Sequence, residues 1–212
     1  SDGFDNELEI LRSTSLSSSV AKRLKLYVRY YLEGTVKDQE LYKNTPIFVD
    51  LEEECLDTLS TILRVEICQK EKSYQVYGYF DQLDPDKVTF SQEVASLPAL
   101  LDTPFGAVTI GVNTEFYSKQ LESEAEKVTE AMKDGRSLYV AIYSPQYVGR
   151  AYSGGILNAS ATAKTTTVAN VGLTDTKKMR AVDFLNELFV CYNEEANEDK
   201  NEIARKTEEF IS

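Results

Sequence analysis

The spacing of apolar positions changes repeatedly along the chain, and each change marks an element. Residues 5–12 set Leu8, Ile10 and Leu11 among Asp5, Glu7, Glu9 and Arg12 and read as a helix. Ser13-Thr14-Ser15 stops it and caps a second helix to about Leu26, in which Leu16, Val20 and Leu24 recur every four residues. Residues 27–32, Tyr-Val-Arg-Tyr-Tyr-Leu, are β-branched and aromatic, hence a strand. Gly34 to Pro46 is polar and irregular, and Ile47-Phe48-Val49 is a short strand. Asp50 is expected to cap an acidic helix with Leu51, Cys55, Leu59 and Ile62 on one side. Residues 63–68 alternate Leu63, Val65 and Ile67 with polar neighbours. Lys70-Glu71-Lys72 turns the chain into a hairpin partner over 73–80, with Tyr74, Val76 and Phe80 on one face.

Asp84-Pro85-Asp86 reads as a loop, Val88 to Pro104 as mixed, and Phe105 to Val112 as a strand. Residues 115–133 carry Tyr117, Leu121, Ala125, Val128 and Met132 at helical spacing, ended by Asp134-Gly135. Leu138 to Tyr143 is nearly all apolar, as in a strand buried on both faces. Ser144-Pro145 opens a short helix with proline at its first position. Residues 156–163 and 166–173 pair as a second hairpin.

The longest element starts at Asp175-Thr176 and runs as a helix from about Lys177 to the end. Val182, Leu185, Phe189, Tyr192, Ala196, Asp199, Ile203, Lys206 and Phe210 follow alternating three and four spacing, the seam of a coiled coil. Val182, Leu185, Phe189 and Tyr192 are therefore expected to pack on the domain's own sheet. Beyond Ala196 charge enters the seam, so Ile203 and Phe210 are expected to contact a missing coil or a neighbouring protomer. At 1.5 Å per residue such a helix is about 50 Å long and outruns a small domain.

The fold class predicted is α+β, a mixed and largely antiparallel sheet with flanking helices and a long projecting C-terminal helix. The division is a base over 1–176 and the start of the long helix over 177–212, within one structural unit. No repeat is present and no apolar run approaches the ~18 residues of a membrane span. The chain opens at Ser1-Asp2-Gly3 and stops inside a helical pattern, so the expectation is a piece of a longer protein.

Charge narrows the partners. Lys+Arg is 23 and Asp+Glu is 35, a net charge of −12, which opposes nucleic acid and anionic lipid. Histidine is absent, which removes Ser-His-Asp and Cys-His nucleophiles and every His-ligated metal site. Tryptophan is absent too, but 13 tyrosines remain for stacking, and 35 carboxylates leave glycosidase chemistry open.

Candidate chemistry is otherwise sparse. Neither a phosphate loop nor a G-x-G-x-x-G is present, and Gly154-Gly155 reads as a turn. Asp81, Asp84 and Asp86 lack the spacing and glycine of a calcium loop. Asn158-Ala159-Ser160 fits a glycosylation pattern. Asp50, Glu52, Glu53, Glu54 and Asp57 read as a solvated helix face. Tyrosines at 27–31 and 74–79 suit a core or sheet surface, with sugar stacking as the alternative. Cys55, Cys68 and Cys191 read as small hydrophobes, a Cys55–Cys68 disulfide being the minority option. No catalytic, cofactor-binding or metal-ligating residue is assigned.

Glu7-Leu8-Glu9-Ile10-Leu11-Arg12-Ser13 resembles the E-x-E-I-L-x-S segment of polysaccharide chain-length determinant (Wzz-type) proteins. Asp38, Leu41-Tyr42 and Pro46 resemble the D-x-x-L-Y…P connection of their exopolysaccharide-transport relatives. Thr103-Pro104-Phe105-Gly106 is similar to the TPFG turn before a strand. Arg180 to Leu188 is similar to the A-x-x-L-N-x-L start of the long helix, continued by Tyr192-Asn193 and Lys200-Asn201. These segments span residues 7 to about 210 in the family's order, and the wording is nearest the branch with a cytoplasmic tyrosine autokinase.

The resemblance implies a periplasmic segment of a bacterial inner-membrane protein, with an α/β base near the membrane and a helix projecting from it. It implies a homo-oligomeric ring that influences the length or export of O-antigen, capsule or exopolysaccharide, with the polymerase or the growing polysaccharide as partner. The expectation is a scaffold without enzymatic activity or cofactor in this segment. The competing readings are a carbohydrate-binding or carbohydrate-processing domain that uses tyrosine faces and carboxylates, and an adaptor whose C-terminal helix pairs with a partner helix.

Overall fold

A computed structural model describes residues 2–81, 87, 89–117, 122–163 and 167–211. The chain begins with α1 (Asp2–Leu11) and α2 (Thr14–Arg23), followed by β1 (Val28–Leu32), β2 (Gln39–Leu41) and β3 (Ile47–Leu51). A single turn, α3 (Glu53–Leu56), leads to β4 (Leu63–Gln69), β5 (Tyr74–Phe80), β6 (Phe90–Val94), β7 (Ala99–Thr103) and β8 (Gly106–Val112). Then come α4 (Glu122–Lys133), β9 (Leu138–Ile142), α5 (Pro145–Ala151), β10 (Leu157–Ala161), β11 (Ala169–Leu173) and α6 (Lys178–Ile211). The fold is α+β, and among the described residues every strand pairing is antiparallel.

Contacts divide the chain into two compact units, Tyr27–Ser144 and Ser1–Leu26 with Pro145–Ser212. This boundary differs from the expected one at 176/177.

The unit Tyr27–Ser144 holds two sheets. The larger has the order β2-β1-β9-β4-β5-β6 and the smaller β3-β8-β7. The apolar run starting at Leu138 supplies β9, flanked by β1 and β4, and Leu138, Val140, Ala141 and Ile142 are all buried. The inner face of the large sheet carries Leu32, Leu138, Ile67 and Val76 in one cross-strand row. The small sheet contributes Val49 with Ile110, and Leu51 with Val108 and Leu101. The two sheets meet where Tyr30 holds the Val49 backbone through its hydroxyl, 3.0 Å from the amide nitrogen, and where Phe80 meets Phe105 edge to face. Ala125, Val128 and Met132 bury one side of α4, as their spacing predicts. Leu121 and Asp84 to Asp86 lie outside the described residues, as does the side chain of Tyr117.

Two expectations are corrected in this unit. Asp50 does not cap a helix: it sits in β3, paired with Thr109, and the helix shrinks to Glu53–Leu56 with no side-chain cap. Leu51 is buried opposite Val108, and the Glu52 amide extends that ladder to the Ala107 carbonyl, so sheet pairing claims the residues that local propensity assigns to a helix. The irregular 34–46 stretch contains the edge strand β2, held by Tyr30 opposite Leu41.

In the other unit, α2 begins at Ser13, whose hydroxyl accepts the Leu16 amide. Its small residues let α5 approach closely: a Cβ placed on Gly149 would lie 2.8 Å from the Thr14 carbonyl oxygen. Gly154-Gly155 turns α5 into β10, with Gly155 at φ 151°, where L side chains are strained. Asn158 is exposed on β10, opposite Gly172.

Candidate functional site

The helix α6 runs 34 residues and starts from a buried clamp. Asp175 accepts the Lys177 amide, and its carboxylate takes Nε and Nη2 of Arg180 at 2.7 and 2.8 Å. Both side chains are about 5% exposed, at 5% and 6%. Such a pair holds because each charge has its partner in bidentate geometry. Arg180, Phe184, Leu188 and Cys191 then form the buried stripe, at spacings of four, four and three. Tyr152 lies on Phe184, and Arg23 of α2 pairs with Glu187 and Glu194.

The expected packing seam is therefore displaced around the helix. Val182 and Phe189 are 47% and 44% exposed, and Leu185 and Tyr192 are half-buried. Tyr192 lies beside Glu7 of α1, and burial followed by that carboxylate raises its pKa. The displacement has a sequence cause: Val182, Phe184, Leu185, Leu188, Phe189, Val190 and Cys191 put apolar groups nearly all round the helix. Two stripes then satisfy the same spacing, and only the partner surfaces of α1, α2 and β11 choose between them.

Ile203 and Phe210 are 66% and 93% exposed, and every residue from Asn197 to Ile211 is exposed. Val182, Phe189, Ile203 and Phe210 thus form one outward stripe at heptad spacing, with half-buried Ala196 in the vacant step. Asp199 and Lys206 lie beside it, and Lys206 pairs with Glu202 at 2.9 Å.

The tyrosines serve several structural ends. Tyr27 is buried and donates to Asp50 at 2.8 Å, and burial followed by that bond raises its pKa. Burial pushes Tyr30 up to about 12. The outer face of the large sheet carries Tyr31, Tyr139, Glu66 and Tyr77 in register. Tyr139 stacks on Tyr31 with centroids 5.1 Å apart, and the Arg64 guanidinium from β4, on its other side, lies 5.5 Å from its ring centre. Arg64 pairs with Asp81, and Tyr139 donates to Asp38. Both flanks of the Tyr139 ring are therefore occupied.

A cleft of about 490 Å³ opens in the unit Tyr27–Ser144, at the β4–β5 turn and the segment joining β6 to β7. Ile47, Leu97 and Val112 are among its apolar lining, and Lys70, Lys72, Ser73, Tyr74, Ser96 and Thr129 supply polar groups. In the sequence 70–72 reads only as a turn, because the cleft is lined by five separated segments. Cys55, Cys68 and Cys191 are free thiols, and the Cys68 sulfur sits 3.0 Å from the Ser137 hydroxyl. Among the described residues no cluster of His, Cys, Asp or Glu has metal-site geometry, and no helix is long and apolar enough to cross a membrane.

No protein-family model matches the chain, and no curated protein matches it.

Proposed function

We infer that this chain is an oligomeric scaffold domain of the chain-length determinant (Wzz-type) kind, acting in the length control or export of a surface polysaccharide. The observation that carries this reading is the outward heptad stripe of α6. Val182, Phe189, Ile203 and Phe210 fall on a seven-residue repeat interrupted at half-buried Ala196 and stay exposed, while another stripe packs within the chain's own unit. An amphipathic helix with a second apolar seam suits pairing with another helix. The ordered resemblance from Glu7 to Phe210 supplies the rest of the reading: a periplasmic segment of an inner-membrane protein, a homo-oligomer, and a polymerase or growing polysaccharide as partner. The segment acts by position and assembly, without chemistry of its own.

The test uses Val182→Asp with Phe189→Asp. The net charge of −12 opposes association, so the isolated chain is expected to be monomeric or weakly oligomeric at micromolar concentration. Association should rise with concentration in the wild type and vanish in the variant, read by sedimentation. Introduced into the parent protein in its source cells, the variant should change polysaccharide length or amount. A variant that folds normally and leaves both association and polysaccharide unchanged would falsify the reading.

A further inference from the structure

The cleft beside the β4–β5 turn has the size and lining of a small-ligand site. Its chemistry is mixed in a particular way. Two ammonium groups, Lys70 and Lys72, stand on the rim of a strongly acidic chain, with Glu71 between them as the opposing charge. Hydroxyls come from Ser73, Ser96 and Thr129, with the Ser73 hydroxyl already given to Glu93. Tyr74 is half-buried there, and Ile47 and Val112 share the lining with it. A ligand that fits this lining has an apolar face, several hydroxyls and a negative charge. A sugar ring offers its C–H face to Tyr74 and aliphatic side chains, and its hydroxyls to serine and threonine. A carboxylate on the ring meets the lysines through charge-assisted hydrogen bonds. A neutral sugar would leave both ammonium groups unused, and a bare acyl chain would leave the hydroxyls unused.

We propose that this cleft binds a short uronate-bearing segment of an acidic polysaccharide, with the carboxylate at Lys70 and Lys72 and a ring face on Tyr74. The substrate class rests on the polysaccharide reading above, whereas the place and the charge requirement rest on the cleft.

The experiment titrates the 212-residue chain with trigalacturonate and with a neutral galactose trisaccharide, following amide shifts by NMR. Trigalacturonate should move the amides of Ser73, Ser96 and Thr129, and bind at least tenfold more tightly than the neutral trisaccharide. Lys70→Glu with Lys72→Glu should weaken binding about tenfold or more, and so should raised salt. Ala95→Trp, which places a ring in the cleft from an exposed lining position, should also abolish the shifts without unfolding the chain. No saturable shift, equal binding of the neutral sugar, unchanged binding in both variants, or shifts confined to Tyr31 and Tyr77 would each overturn the proposal. The scaffold reading fails separately: it is decided by the α6 stripe variants, which leave the cleft intact.

Discussion

The ring of Tyr152 lies flat on the ring of Phe184, with centroids 3.9 Å apart and planes 3° from parallel, and both side chains are essentially inaccessible to water. This pair joins the segment after α5 to the buried stripe of α6. Phe184→Ala should cost about 3–5 kcal/mol, the range for truncating a buried phenylalanine. Phe189→Ala, five residues on, removes a 44% exposed ring and should cost under about 1 kcal/mol. Denaturant melts of the two variants check this. Equal losses would mean that the outward stripe is also packed within the chain.

Gly149 lies where α5 packs closely on α2. Its hypothetical Cβ falls 2.0 Å from the Ser18 hydroxyl, and 2.8 and 2.9 Å from the backbone at Thr14 and Ser18. The hydroxyl can rotate away, but the backbone atoms cannot. Gly149→Ala should therefore destabilise by about 1–3 kcal/mol, as overpacking does. Removing the hydroxyl with Ser18→Ala should not rescue it. A thermal melt of the single and double variants decides, and full rescue would contradict the backbone clash.

The Asp175–Arg180 clamp predicts asymmetry between single and double changes. Asp175→Ala leaves a guanidinium with 5% side-chain exposure without its carboxylate, and should cost about 3–5 kcal/mol. Replacing Arg180 by methionine in the same molecule removes the buried guanidinium that lost this carboxylate and should recover part of that loss. A double-mutant cycle measures the coupling. Additive losses would show that the carboxylate acts mainly on the Lys177 amide.

Alkaline stability follows from the tyrosines. Tyr27, Tyr30 and Tyr139 are all shifted upward, burial being the leading cause in each, with bonds to Asp50 and Asp38 adding to it at Tyr27 and Tyr139. A raised pKa means that the folded state holds a proton the unfolded chain releases near pH 10. The contribution is therefore complete below about pH 10 and falls as pH rises. For Tyr30 it is lost up to about 12. Melting temperature should drop through this window, and phenolate absorbance should show a late group ionising together with unfolding. Tyr30→Phe should flatten the decline. A melting temperature level from pH 9 to 12 would contradict the assignment.

Much of the element order is legible in the sequence because it is encoded by neighbours. Ser13 before a four-residue apolar repeat gives α2 and its cap. Alternation around Lys70-Glu71-Lys72 gives the β4–β5 hairpin, and the apolar run at 138 gives the central strand. These signals are local: side-chain period and turn chemistry suffice. The class, α+β with antiparallel sheets and a long last helix, follows from them.

Other features were decided only by the folded chain. The residues after Asp50 carry a helical pattern, but β8 lies alongside and takes Asp50 and Leu51 into a ladder, since a paired, buried strand outweighs a weak local preference. On α6 the sequence offers two apolar stripes. The surfaces of α1, α2 and β11, with Tyr152, bury the one through Phe184 and Leu188 and leave Val182 and Phe189 outside. The cleft at Lys70 and Lys72 draws its lining from β3, the β4–β5 turn, the β6–β7 segment, β8 and α4. Residues so far apart in sequence share no period or spacing, so sequence alone determined which groups exist and tertiary packing determined which of them meet.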